Sequence, residues 1–290
     1  MTRLSHRDID TITSDLAQYN NHLMTSTGSG LFDIACCCCG CDPSLISQKA
    51  KIFSMQVIPV TAGIGVITEF SETVAGILRF LGLKAEVAPF ADVTGLAHAV
   101  DNKVDGVFLA DDSTFMALHA GSFSRLDNSI VTGQMYATVL DLMGRGVPDL
   151  GALVIGCGPV GCSAAAHLLG LGRRVALFDI NNSSAKDARK ELLLGLAGSD
   201  GLAGSLGVID DLERGVQEYD LILEATPAEA VLLDSWLTPN KKVAMPGVPL
   251  GLSEYGLEAL GTNLVHDKLE LGVAGMAVGL LNIAMTKNRL

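Results

Sequence analysis

The sequence of 290 residues is short of positive charge. Lys and Arg number 20 against 32 Asp and Glu, which gives a formal net charge of −12 and a pI of about 4.8. A surface that negative repels phosphate backbones, so nucleic acid is not an expected partner. Long apolar runs are also missing. The longest, Leu271 to Met285, is 15 residues long and holds Asn282, whereas a bilayer span needs about 20. A buried helix is predicted there, and no membrane partner. Met1 to Asp10 has no apolar h-region, so no secretory signal is read and a cytoplasmic location is expected. There is no Walker A loop, no HExxH and no Ser-His-Asp order. A second CxxC segment is absent too. Five of the seven cysteines crowd into Cys36-Cys37-Cys38-Cys39-Gly40-Cys41, where Cys36/Cys39 and Cys38/Cys41 have CxxC spacing. Structural zinc usually takes two such pairs from separate segments. The run is therefore read as small apolar filler, with no metal expected.

What is present is core material. Apolar residues make up 49% and charged ones 18%, enough for two domains by ordinary domain sizes. The predicted class is α/β. An N-terminal substrate domain at 1–146 carries a βαβαβ unit, a Rossmann-type parallel-sheet dinucleotide-binding domain follows at 147–272, and a terminal helix at 273–290 packs back on the first domain. In the first part a helix is read at 5–27, an irregular segment through Lys51, a strand at Val57–Val60 and a glycine loop at Thr61–Gly65. A helix at Phe70–Leu81 with Ser71 as N-cap comes next. Then follow a strand at Ala85–Ala88, a helix at Val93–Asn102, a strand at Gly106–Ala110, a mobile Gly/Ser stretch at 120–129 and a bridging helix at Val131–Met143. In the second part strands fall at Ala152–Ile155, Val175–Asp179, Leu221–Glu224, Val243–Met245 and Asn263–Val265, with a surface insertion at 194–207.

The most specific motif is Gly156-Cys157-Gly158-Pro159-Val160-Gly161, a GxGxxG that directly follows an apolar strand and opens an Ala-rich helix. Gly156 allows the tight turn, Gly158 lets a pyrophosphate approach the backbone, and Gly161 allows close helix–strand packing. The helix start adds free N–H groups and the positive end of its dipole. Asp179 ends the next strand, where an acid bonds the ribose hydroxyls. No basic residue follows in Ile180-Asn181-Asn182 to meet a 2′-phosphate, so NAD is expected over NADP. The loops Ala225-Thr226-Pro227 and Pro246-Gly247 end later strands at the same carboxyl edge and are candidate cofactor contacts.

For the chemistry, Asp111 and Asp112 end an apolar parallel strand at the edge where open α/β sheets bind ligands. A carboxylate there can hold an ammonium group or take its proton. The bland reading makes one of them the N-cap of a helix begun by Ser113-Thr114-Phe115. His266 and Asp267 close a C-terminal strand and also fall near the cleft.

Several runs taken together carry a resemblance. Ile58 to Thr61 with Gly63, Gly65 and Phe70-Ser71-Glu72, the segment Ala110 to Phe115, the loop Glu224 to Pro227 and the run Pro246 to Pro249 are similar to the pyrrolysine synthase family. The start, with Leu4, Asp8 and Ile9, is similar as well, and the likeness weakens mainly at 24–50 and 194–207. The resemblance implies a small-molecule substrate, 3-methylornithine joined to the lysine side-chain nitrogen. Its terminal amine would be oxidised with NAD, and ammonia loss and ring closure would follow. It implies Asp111 as the catalytic carboxylate and Leu4, Thr61, Phe70, Asp112 and Asp267 around the substrate. Ala62 stands where the family often has Ser, and Asp267 where it has Glu. Other readings are a different NAD-dependent small amino-acid dehydrogenase and a non-catalytic NAD sensor. A homodimer is compatible with the sequence but not dictated by it.

Overall fold

The structure is a computed structural model that describes residues 9–63, 69–146, 151–195 and 202–287. Among the described residues, three helices precede the first sheet, α1 (Ile12–Thr27), α2 (Leu31–Cys38) and α3 (Pro43–Ala50). The segment read as irregular is thus mostly helical. Asp42 starts α3 by accepting the N–H groups of Ser44 and Leu45, with Pro43 at the first helical position. The cysteine run lies on α2 and just beyond it. Cys36 is fully buried, and burial pushes its thiol well above the usual range.

A mixed five-stranded sheet follows, in the order β2-β1-β3-β4-β5. Its strands are β1 (Ser54–Ile58), β2 (Lys84–Val87), β3 (Gly106–Ala110), β4 (Phe115–His119) and β5 (Ser124–Asp127), with α4 (Phe70–Phe80) and α5 (Asp92–Asp101) as the crossovers. β1, β2 and β3 pair in parallel, as a βαβαβ unit requires. β4 and β5 are antiparallel additions. They replace the helix expected after Asp112 and the mobile stretch expected at 120–129: residues 111–114 form a tight reversal, and β4 returns along β3. Ser71 does not cap α4. Glu69 holds the cap position with φ 70°, and no side chain caps that end.

The long helix α6 (Asn128–Met143) leads to the second sheet, which is wholly parallel in the order β11-β10-β9-β6-β7-β8. The strands are β6 (Ala152–Ile155), β7 (Val175–Phe178), β8 (Leu206–Val208), β9 (Leu221–Glu224), β10 (Lys242–Met245) and β11 (Leu264–His266). Counted from β6, this is the doubly wound order 3-2-1-4-5-6, whose switch point lies between β6 and β9. The end of the stretch read as a surface insertion is the edge strand β8; residues 196–201 lie outside the described residues. β6 and β9 are buried along their whole length, which explains their unbroken apolar sequences.

The last helix, α11 (Glu270–Lys287), packs on α6, α2, α4 and β4. Leu271, Val273, Met276, Val278, Leu280 and Leu281 are all fully buried. At roughly 1.5–3 kcal/mol for each large aliphatic side chain, this helix is a central part of the first sheet's core. Among the described residues no helix is long and apolar enough to cross a membrane.

Candidate active site

A cavity of about 510 Å³ opens between the carboxyl edges of the two sheets. On the second sheet, Gly158, Pro159 and Val160 line it from the turn after β6, together with Ala225, Thr226 and Pro227 after β9 and Pro246 and Gly247 after β10. The helix that follows the glycine turn, α7 (Pro159–Gly170), starts with Pro159 in its first turn and has no side-chain cap. Its first N–H groups are therefore available to a ligand. Gly158 faces open space, with no atom within 4 Å of where a Cβ would stand. That gap is the room a pyrophosphate needs against backbone. Gly156 has φ 91° and Gly161 is buried against the Gly156 carbonyl.

Asp179 stands just past β7. Its Oδ2 accepts the Cys157 N–H at 2.8 Å and its Oδ1 the Asn181 N–H at 2.9 Å. It clamps the glycine turn and does not line the cavity itself. On the far side of the turn, Glu224 is fully buried and accepts the Thr226 N–H at 2.7 Å, fixing the loop at 225–227. Burial pushes the Glu224 carboxyl above its usual range. The sequence reading assigned Glu224 no role, because nothing local marks the end of a strand as a loop anchor.

The first sheet supplies the opposite wall. Phe70, Asp111, Asp112 and Phe115 line the cavity, and Phe70 meets Phe115 edge to face with centroids 5.4 Å apart. Asp111 Oδ1 accepts the N–H groups of Ser113 at 2.7 Å and Thr114 at 2.8 Å. These two bonds, the Ser113 one first, hold its carboxyl below the usual carboxylate range. Asp111, not Asp112, is therefore the turn-capping residue. Asp112 lies over Gly63. Thr61 does not line the cavity: its N–H and hydroxyl both go to Asp92. Leu4 lies outside the described residues.

The third wall comes from the junction of β11 with α11, where Asp267, Lys268 and Leu269 line the cavity. Asp267 is 7% exposed. Its Oδ2 accepts the Tyr19 hydroxyl at 2.6 Å, and its backbone exchanges hydrogen bonds with the Tyr136 hydroxyl. His266 turns away, donating Nδ1–H to Met245 O at 2.7 Å, and burial lowers its pKa. It does not line the cavity.

The arrangement can therefore receive a dinucleotide along one edge and a cationic, partly apolar small molecule against the other. Residues 8–124 match the family described as "Pyrrolysine biosynthesis protein PylD, N-terminal domain". Over 97% of this chain, the sequence is 27% identical to the pyrrolysine synthase of Methanosarcina acetivorans, covering 100% of it. It is 28% identical to that of Methanosarcina barkeri, covering 98% of it. Among solved structures, quinate dehydrogenase from Corynebacterium glutamicum in complex with NAD superposes with a TM-score of 0.52, covering 82% of this chain and 99% of that one at 14% identity, which establishes a shared fold. The chain is thus similar to the pyrrolysine synthases along 97% of its length, and the match to the family's N-terminal domain lies at residues 8–124.

Proposed function

We propose that this chain is an NAD-dependent oxidoreductase that makes pyrrolysine from lysine-Nε-3-methylornithine. The observation that carries this reading is the single cavity bounded by Gly158-Pro159-Val160 on one wall and by Asp111, Asp112 and Asp267 on the others. The first sheet provides the substrate side and the second the cofactor side.

The residues fit a dinucleotide. Gly158 leaves space for phosphate, the uncapped start of α7 offers N–H donors, and Asp179 stands at the end of the neighbouring strand. Held by Gly158, Pro159 and the start of α7, NAD would supply the hydride acceptor for oxidation of the carbon that bears the terminal amine. The protein's task is to hold that amine and manage its charge. In water such an amine is protonated at neutral pH, with a pKa near ~10.4, so it arrives as an ammonium ion and must lose one proton before oxidation. Asp111, kept ionised by its two backbone N–H bonds, anchors the ammonium and then stabilises the iminium that replaces it. The substrate's own α-amine then attacks the iminium carbon and closes the ring, and departure of ammonia from the cyclic aminal leaves the ring C=N bond. Phe70 and Phe115 give the methylated chain an apolar wall that keeps water from the iminium.

The decisive experiment is to mix protein, NAD and lysine-Nε-3-methylornithine and follow NADH absorbance together with pyrrolysine by mass spectrometry. Both should appear in equal amounts. NADH without pyrrolysine would point to another small amino-acid dehydrogenase, and NAD binding without turnover to a sensor. Cofactor choice is a separate expectation. Asp179 repels a 2′-phosphate, and Arg173 and Arg174 precede β7 at its opposite end. Calorimetry should show NAD bound at least ~10-fold more tightly than NADP, about 1.4 kcal/mol. Asp179→Ser with Ile180→Arg should narrow that gap.

A further inference from the structure

Asp267 has a buried acidic neighbour that the cavity does not touch. Glu270 is 8% exposed and sits one turn on, at the start of α11. Its Oε2 accepts the Leu269 N–H at 2.9 Å and the Lys268 N–H at 3.2 Å. Asp267 and Glu270 are three residues apart where β11 turns into α11, and both are more than nine-tenths buried. Two carboxylates this near each other in a dry site resist carrying two charges, so the pair binds a proton readily. The groups that face the pair are Tyr19 from α1, Tyr136 from α6, His266 from β11 and Lys268 beside it. Tyr19 donates its hydroxyl to Asp267 and Leu271 its N–H, and burial pushes both carboxyls up, so the pair shares one proton below neutrality and is free to take one above it.

We propose that Glu270 is a positioning residue that sets the proton affinity of Asp267, so that Asp267 and not Asp111 takes the proton released by the substrate amine. This rests on the reading above that an amine is oxidised in this cavity. The division of labour follows from the geometry. Asp111 is exposed and tied down by two backbone donors, an anchor that stays charged. The Asp267–Glu270 pair is dry and doubly acidic, and it gains a proton readily. In the step, the N–H bond of the substrate ammonium breaks and an O–H bond forms on Asp267. The charge of amine plus pair is unchanged, and the nitrogen lone pair is then free to drive hydride loss from its carbon. Burial, followed by the neighbouring Asp267 charge, pushes Glu270 up to about 7, which places the pair's exchange of one proton in the neutral range.

Two measurements test this. The first needs no substrate: infrared spectra of the protein alone, followed across pH, should show a protonated carboxyl that ionises near neutrality and is missing in E270Q. Absence of such a group in the wild type would overturn the proposal, whatever the substrate proves to be. The second is the pH profile of kcat/KM for NADH formation. The wild type should rise with pH and level off above about 7. E270Q should move that limb down by a pH unit or more and lower the plateau at least ~10-fold, while E270D restores most of the wild-type profile and NAD affinity is unchanged in both. An E270Q profile that overlays the wild type would sink the assignment. A wild type that makes no NADH from the substrate would remove the functional reading instead, and the infrared result would still decide the pair.

Discussion

Asp111→Asn should lower kcat/KM for NADH formation by roughly 10²–10³-fold, the usual cost of removing one preorganised charge partner from a transition state, while NAD affinity and melting temperature stay close to wild type. The asparagine keeps the side-chain oxygen that accepts the Ser113 and Thr114 N–H groups, so the reversal between β3 and β4 survives. What disappears is the negative charge that faces the ammonium and then the iminium. Because its backbone donors hold Asp111 ionised far below neutrality, the loss should be nearly independent of pH between about 6 and 9. That separates it from the Glu270 variant, whose effect is a moved limb. Asp112→Asn should cost much less. Should Asp112→Asn be the inactive variant and Asp111→Asn the active one, the two roles are reversed. If both turn over normally, the acidic turn is structural and the ammonium is held by Asp267.

How far the sequence carries depends on whether a signal is local. The doubly wound sheet was legible because β6 and β9 are buried on both faces and read as unbroken apolar runs, with a glycine turn directly after the first of them. Parallel pairing of β1, β2 and β3 followed from the alternation of strand and helix. The misreadings fall where short elements are fixed by neighbours rather than by periodicity. The helices at 31–38 and 43–50 are only 8 residues each, two turns that repeat too little to show a clear face. β4 begins with Phe115 right after a polar quartet that suits a helix N-terminus equally well, and only pairing with β3 decides between them.

The site was legible in its pieces but not in its assembly. The sequence places Asp111 and the glycine turn at strand ends, where an open sheet binds ligands. It could not show that the Asp111 carboxylate is occupied by its own turn, or that Thr61 spends its hydroxyl on Asp92. The surroundings of Asp267 are further still from local reach. Tyr19 is 248 residues away in the chain and Tyr136 131 residues away, joined only because α1 and α6 both pack at the root of α11. Glu270 reads in sequence as an ordinary acid in the first turn of a helix, where a negative charge is favourable anyway. Only burial beside a second carboxyl distinguishes it.

The glycine turn offers the sharpest separation of folding from binding, in the pair Gly158→Ala and Gly161→Ala. A Cβ on Gly161 would fall on the backbone carbonyl of Gly156. Backbone cannot rotate away as a side chain does, so α7 would have to move off β6, and overpacking of this kind costs about 1–3 kcal/mol or more. Gly161→Ala should therefore melt well below the wild type and lose NAD binding as a consequence. Gly158 is different. Its φ of −78° suits any residue, and nothing in the protein stands within 4 Å of the added carbon. Gly158→Ala should melt within a degree or two of wild type. If the space beside Gly158 is where the pyrophosphate meets backbone, the same methyl group should weaken NAD binding by at least ~10-fold, about 1.4 kcal/mol. Normal NAD affinity in a normally folded Gly158→Ala protein would place the dinucleotide elsewhere in the cavity, and the cofactor assignment built on this turn would fall with it.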